Sequence, residues 1–124
     1  MQKITKVFTR LDPRGLFVEC ISSPQSWKAI NAGKMRKNAI MGNHYHKKTT
    51  VLFFLLSGTA QVAIKDVRQK NQTKQVFSLT ANQGVIFSPY ETHAITFTSA
   101  GQFILLKNRQ FSEKNQDLFS APLT

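Results

Sequence analysis

Acidic residues are scarce in this chain. Six Asp and Glu stand against seventeen Lys and Arg, leaving a formal net charge of +11 over 124 residues. Such a balance favours anionic partners, whether nucleic acid, an acidic surface or a phosphorylated small molecule. The bases are nevertheless spread from Lys3 to Lys114, with small groups at Lys34-Arg36-Lys37 and Lys65-Arg68-Lys70-Lys74. No helix-turn-helix pattern, zinc-finger spacing or RNP-type aromatic motif accompanies them, so nucleic acid is not the expected partner. Cysteine is nearly absent. Cys20 alone excludes an intrachain disulfide and fits a reducing compartment, and beside Ile21 it reads as a small buried apolar residue. Long apolar runs are missing as well. The longest, Val51 to Leu56, is far too short to span a bilayer, and Met1 to Lys6 has no apolar core like a signal peptide's. A cytoplasmic protein is expected. No internal repeat or low-complexity segment is present.

What remains is an ordinary globular composition, 41% hydrophobic and 19% charged, in a chain long enough to bury one core. We expect a single domain over 1–124, with a core at about 42–107, an N-terminal arm and strands at 1–41, and a C-terminal segment at 108–124. Asp12-Pro13-Arg14-Gly15 is a turn signal and Leu16 to Ile21 a strand. Ser22 to Ser26 is loop. Trp27 to Met41 is irregular and fits a strand, an arm, or both in turn. From residue 44 the pattern is strands in series. Ala60, Val62 and Ile64 alternate with polar neighbours, Asp66 to Lys74 suits a hairpin loop, and Val76 to Leu79 resumes the strand pattern. Asn82-Gln83-Gly84 turns into a short buried run ended by Pro89. His93, Ile95 and Phe97 share one face of the next strand, and Ser99-Ala100-Gly101 turns into Phe103 to Leu106. Many short strands with regular turns argue for an all-β sandwich or barrel. Val51 to Leu56 is apolar at every position, as in a strand covered on both faces; a homodimer interface is one means of covering the second face. The tail reads as a short helix or an ordered arm.

The chemistry concentrates in Gly42-Asn43-His44-Tyr45-His46-Lys47-Lys48, which holds two of the three histidines. Two residues apart on an extended strand, His44 and His46 point to one face. They can share a metal or both contact one small molecule. The third, His93, closes the stretch from Gly84 through Pro89, Tyr90 and Glu91.

These two stretches resemble the paired motifs of the cupin superfamily, small β-barrels of the jelly-roll type. His44, His46 and Gly58 match the first motif, whose metal-binding Glu falls at Val51 here; Gly84, Pro89 and His93 match the second, whose Asn falls at Phe97. Asp12-x-Arg14-Gly15-x-Phe17 is similar to the opening of the deoxysugar-nucleotide cupins: the dTDP-sugar 3,5-epimerases, the 3,4-ketoisomerases and the C-terminal cupin of capsular-polysaccharide reductases. Gly42 to Lys47 and the ending Phe111-Ser112-Glu113-x-Asn115-x-Asp117-x-Phe119 resemble the same group, except that Met41 replaces the Arg commonly found before this Gly.

The resemblance implies a cupin β-barrel acting in nucleotide-sugar and polysaccharide biosynthesis, and three readings of the site follow. In the leading one, no cofactor is required. His44 or His46 abstracts an α-proton from a keto-deoxysugar nucleotide, Tyr90 or, less well placed, Tyr45 acts as acid, and Lys and Arg near the mouth hold the diphosphate. In the second, His44, His46 and His93 hold a divalent metal (Zn, Fe, Ni or Cu) with an open position for another small molecule. In the third, Val51 and Phe97 mark a degenerate site that binds a ligand without turnover. Glu91, the carboxylate nearest His93 in sequence, could orient an imidazole or add a ligand.

Overall fold

The structure, a computed structural model, describes residues 1–4, 8–20, 26–110 and 112–123. Among these, every regular element is a strand: β1 (Gln2–Ile4), β2 (Phe8–Asp12), β3 (Gly15–Glu19), β4 (Ala29–Met35), β5 (Ile40–Tyr45), β6 (Val51–Ser57), β7 (Ala60–Asp66), β8 (Gln75–Leu79), β9 (Gln83–Phe87), β10 (Glu91–Phe97), β11 (Gly101–Lys107) and β12 (Phe119–Ser120). One five-stranded sheet runs β1-β9-β6-β11-β4, a second runs β12-β5-β10-β7-β8, and β2 and β3 form a separate hairpin. The expected all-β jelly-roll architecture is what the chain adopts.

Strand alternation supplies the core between the two sheets. Phe53 and Leu55 of β6, Val62 and Ile64 of β7, Val85 and Phe87 of β9, Ile95 and Phe97 of β10 and Phe103 of β11 pack together. Burying each such side chain is worth about 1.5–3 kcal/mol. Phe53 stacks on Phe103 at 5.6 Å between ring centroids and meets Phe97 edge-on at 6.2 Å. Val51 and Phe97, where the resembled motifs are polar, are 3% and 0% exposed and belong to this core.

The apolar run of β6 is explained within the chain. Its second face, Leu52 and Phe54, packs with Ile4 and Ile86 and is flanked by Cys20, Trp27, Ile104 and Leu106. A partner is therefore not needed to cover Leu52 and Phe54. The irregular stretch from residue 27 to 41 resolves into edge strand β4, paired along its length with β11, and the start of β5. The tail carries no helix among its described residues; instead β12 adds to the edge of β5. The expected loop at 22–25, Ile21 at the end of the expected strand, and Phe111 lie outside the described residues.

Candidate active site

A β-bulge aims the histidines. β10 pairs with β5 so that His93 lies opposite His44 but Ala94 lies opposite Gly42, leaving Asn43 as the extra residue. Gly42 and Asn43 both take positive φ, at 99° and 60°. A Cβ on Gly42 would sit 2.5 Å from the His93 carbonyl oxygen, so only glycine fits there. Past the bulge, His44 and His46 fall on one face, with their ring centroids 5.3 Å apart. The His93 ring lies 4.9 Å from that of His44 and 6.3 Å from that of His46. The three histidines expected from sequence do meet.

Each imidazole has its Nδ1 turned to a main-chain carbonyl. His44 pairs with Gly42 at 3.1 Å, His93 with Glu91 at 3.1 Å, and His46 with Asp117 from the far end of the chain. A carbonyl only accepts, so each Nδ1–H donates and each Nε2 is left with its lone pair. Burial pushes all three pKa values down. For His44 the neighbouring His46 adds to this; for His46 the Asp117 carbonyl and carboxylate partly oppose it, and the Lys107 ammonium presses on both. His93, 4% exposed and stacked on Phe87 at 3.9 Å with 7° between the ring planes, is lowered to about 3. At neutral pH the cluster is uncharged and carries proton-accepting nitrogens.

Those nitrogens would also suit a metal, but the surroundings do not complete such a site. Against His93 lies Phe87 of the apolar core, with Val51 paired beside it on the neighbouring strand, rather than a carboxylate. Among the described residues no group of three or more His, Cys, Asp or Glu is gathered to hold a metal ion.

His46 also lines a cavity of about 200 Å³ between the end of β11 and the C-terminal segment, together with Thr49, Lys107, Arg109, Asn115 and Asp117. Two cations thus flank the mouth on the side of His46. A family model described as the polysaccharide biosynthesis C-terminal domain matches residues 10–119. The chain belongs to this family. Spore coat polysaccharide biosynthesis protein SpsL of Bacillus subtilis (strain 168) is 30% identical to it over 76 residues, 58% of this chain and 50% of that protein. The chain therefore spans about half the length of the curated relative it matches. A 3,4-ketoisomerase from Helicobacter canadensis has a similar structure, with a TM-score of 0.79 at 16% identity over 96% of this chain and 90% of that one. So does dTDP-4-dehydrorhamnose 3,5-epimerase from Sulfolobus tokodaii, with a TM-score of 0.75 at 19% identity over 89% and 72%. The chain shares the jelly-roll fold of these two proteins.

In this polysaccharide biosynthesis C-terminal domain, the ring of Tyr90 is turned to Tyr45. Pro89 and Tyr90 occupy the middle of a turn closed by the Glu91 N–H to the Ser88 carbonyl, and Tyr90 takes φ of 71° at a position that favours glycine. Its ring stacks on Tyr45, whose side chain points away from those of His44 and His46, and Arg68 lies over it at 4.5 Å. Tyr45 in turn stacks on Phe119, with Lys47 over that ring at 4.3 Å. Both tyrosines belong to a stack built on the opposite face of the strand. Glu91 likewise acts through its backbone carbonyl, while its carboxylate accepts from the Ser88 N–H at 2.7 Å and pairs with the Met1 amine at 2.9 Å. The residues that sequence reasoning did not single out are Lys107, Arg109 and Asp117. Asp117 lies 71 positions from His46, and its only signal was its place in the ending shared with the resembled group.

Proposed function

We propose that the domain is a metal-independent isomerase or epimerase of a keto-deoxysugar nucleotide. The observation that carries this reading is the set of neutral imidazoles, each held as the Nδ1–H tautomer, beside a cavity flanked by Lys107 and Arg109. His46, which lines that cavity, takes the proton from the carbon next to the substrate carbonyl and leaves an enolate. Returning a proton to the opposite face of that carbon inverts it. Returning it to the former carbonyl carbon, while the hydroxyl on the first carbon passes its proton to the enolate oxygen, moves the carbonyl by one position and leaves a hydroxyl in its place. His44 relays the second proton, the Lys107 ammonium offsets the enolate charge, and Arg109 faces the diphosphate.

Support comes from the family, from the cupin fold shared with a 3,4-ketoisomerase and a 3,5-epimerase, and from the chemistry of the gathered side chains. The test is turnover of a dTDP-4-keto-6-deoxyhexose by the purified protein, which His44→Ala and His46→Ala should abolish. No turnover and no thermal shift with any nucleotide sugar would remove the proposal. A thermal shift without turnover would instead favour the non-catalytic binding reading, which the apolar Val51 and Phe97 allow. The three-histidine metal reading has its own test: about one metal per chain in protein purified without an affinity tag would establish it in place of ours.

We also propose a homodimer. The β2–β3 hairpin leaves Phe8, Leu11, Leu16 and Phe17 at least half exposed, with Leu11 at 78%, more apolar surface than a lone projecting hairpin should show water. Light scattering at twice the chain mass is the expected result. Among the described residues no helix is long and apolar enough to cross a membrane, and the cytoplasm, as the source of nucleotide sugars and a home for a single cysteine, is the proposed compartment.

A further inference from the structure

The segment from Asp117 to Leu123 is tied to the strand that carries the histidine pair at more points than a two-residue strand requires. Phe119 and Ser120 pair with Tyr45 and His44. The Ala121 N–H donates to the Asn43 carbonyl at 3.0 Å and the Leu123 N–H to Asn43 Oδ1 at 2.9 Å. Asp117 is the anchor. Its Oδ1 accepts from the Lys47 N–H, and its Oδ2 from the Lys48 N–H, the Thr49 N–H and the Thr49 hydroxyl, each at 2.8 Å. Its main-chain carbonyl accepts from His46 Nδ1–H.

One residue thereby holds the His46 ring and the backbone of the three residues that follow it. Burial alone would raise the Asp117 pKa, but the donors outweigh it and hold the carboxyl at about 2, so the clamp stays charged wherever an imidazole can act as a base. We infer that Asp117 is a positioning residue: by clamping residues 47–49 with its carboxylate, it places its own carbonyl to fix His46 as the Nδ1–H tautomer with a basic, directed Nε2. A neutral imidazole in water favours the other tautomer, so without this partner the lone pair would mostly sit on the wrong nitrogen.

The spectroscopic arm of the test needs no substrate. Long-range proton–nitrogen NMR of 15N-labelled protein should show His46 with a pyrrole-like Nδ1 and a pyridine-like Nε2. In Asp117→Ala that pattern should become mixed, while His44 and His93, whose carbonyl partners are Gly42 and Glu91, keep theirs. An unchanged His46 pattern in a folded Asp117→Ala overturns the inference. Should that variant fail to fold, Thr49→Val, which removes one donor to the carboxylate, should give a smaller shift of the same sign; no shift there also overturns it. The kinetic arm rests on the function proposed above. Asp117→Ala should lose about ten- to a hundredfold in kcat with KM little changed, part of the about 10²- to 10⁴-fold that a positioned general base contributes. A fall in kcat with His46 still in its original tautomer would contradict the inference, whereas a tautomer change in a protein that turns over no nucleotide sugar would sink the proposed function and leave this inference standing.

Discussion

Acidification should weaken this fold through His93. The imidazole is 4% exposed, stacked on Phe87, and faces the rings of His44 and His46. Burial is the main cause that lowers its pKa from 6.5 to about 3. The unfolded chain takes up a proton as pH falls below 6.5, and the folded chain does not until about 3. The stability this group contributes is therefore complete above 6.5 and is lost as pH falls toward 3. The loss runs at about 1.4 kcal/mol per pH unit and integrates to about 2 kcal/mol between pH 7 and pH 5. His44 and His46 are shifted the same way and add to it. His93→Asn removes the titration while keeping a short polar side chain. Urea unfolding of both proteins at pH 7, 6 and 5, followed by Trp27 fluorescence, isolates the effect, because charge repulsion from the basic surface is common to both. The variant should be the less stable at pH 7, and the gap should narrow by about 2 kcal/mol by pH 5. A gap that stays constant across this range would refute the buried neutral imidazole.

Three further outcomes follow from the geometry. Gly42→Ala, with φ of 99° and a Cβ 2.5 Å from the His93 carbonyl oxygen, should cost about 2 kcal/mol or more and lower the melting temperature; an unchanged melt would contradict the bulge account. Tyr90→Phe should retain turnover, since the ring stacks on Tyr45, and a loss in kcat of the size expected for a general acid, about a hundredfold, would return the phenol to the chemistry. Lys107→Gln should cost about ten- to a hundredfold in kcat/KM and should move the acid limb of the pH–rate profile upward, because removing a nearby cation raises the pKa values of His44 and His46. A profile that does not move would place Lys107 outside the site.

Much of the barrel was legible because strand alternation is a local property. The shared face of His93, Ile95 and Phe97 needed only the two-residue period, and the turn at Asp12 to Gly15 needed only proline and glycine chemistry. His44 and His46 could be placed on one face for the same reason. Their meeting with His93 depends on a cross-strand register set by the Gly42–Asn43 bulge, which no local pattern encodes. The stacking of Tyr90 on Tyr45 was not legible, because it follows from the turn at Pro89 and Tyr90 and its positive φ rather than from any local pattern. Asp117 and Lys107 escaped notice because they reach the site by folding from a distance. The apolar run of β6 signalled burial on both faces correctly, but the covering residues, Ile4, Cys20 and Trp27, come from segments too far away in sequence to be assigned.

The central claim is that an unprotonated imidazole, His46, moves a proton next to a sugar carbonyl. The most direct measurement is incubation of the protein with a dTDP-4-keto-6-deoxyhexose in deuterated buffer, followed by NMR and mass analysis of the recovered sugar nucleotide. We expect deuterium at the carbon beside the original carbonyl or at the former carbonyl carbon, with the rate falling by at least about a hundredfold in His46→Ala. Recovery of the nucleotide sugar without deuterium, or exchange that proceeds unchanged in His46→Ala, would contradict the account.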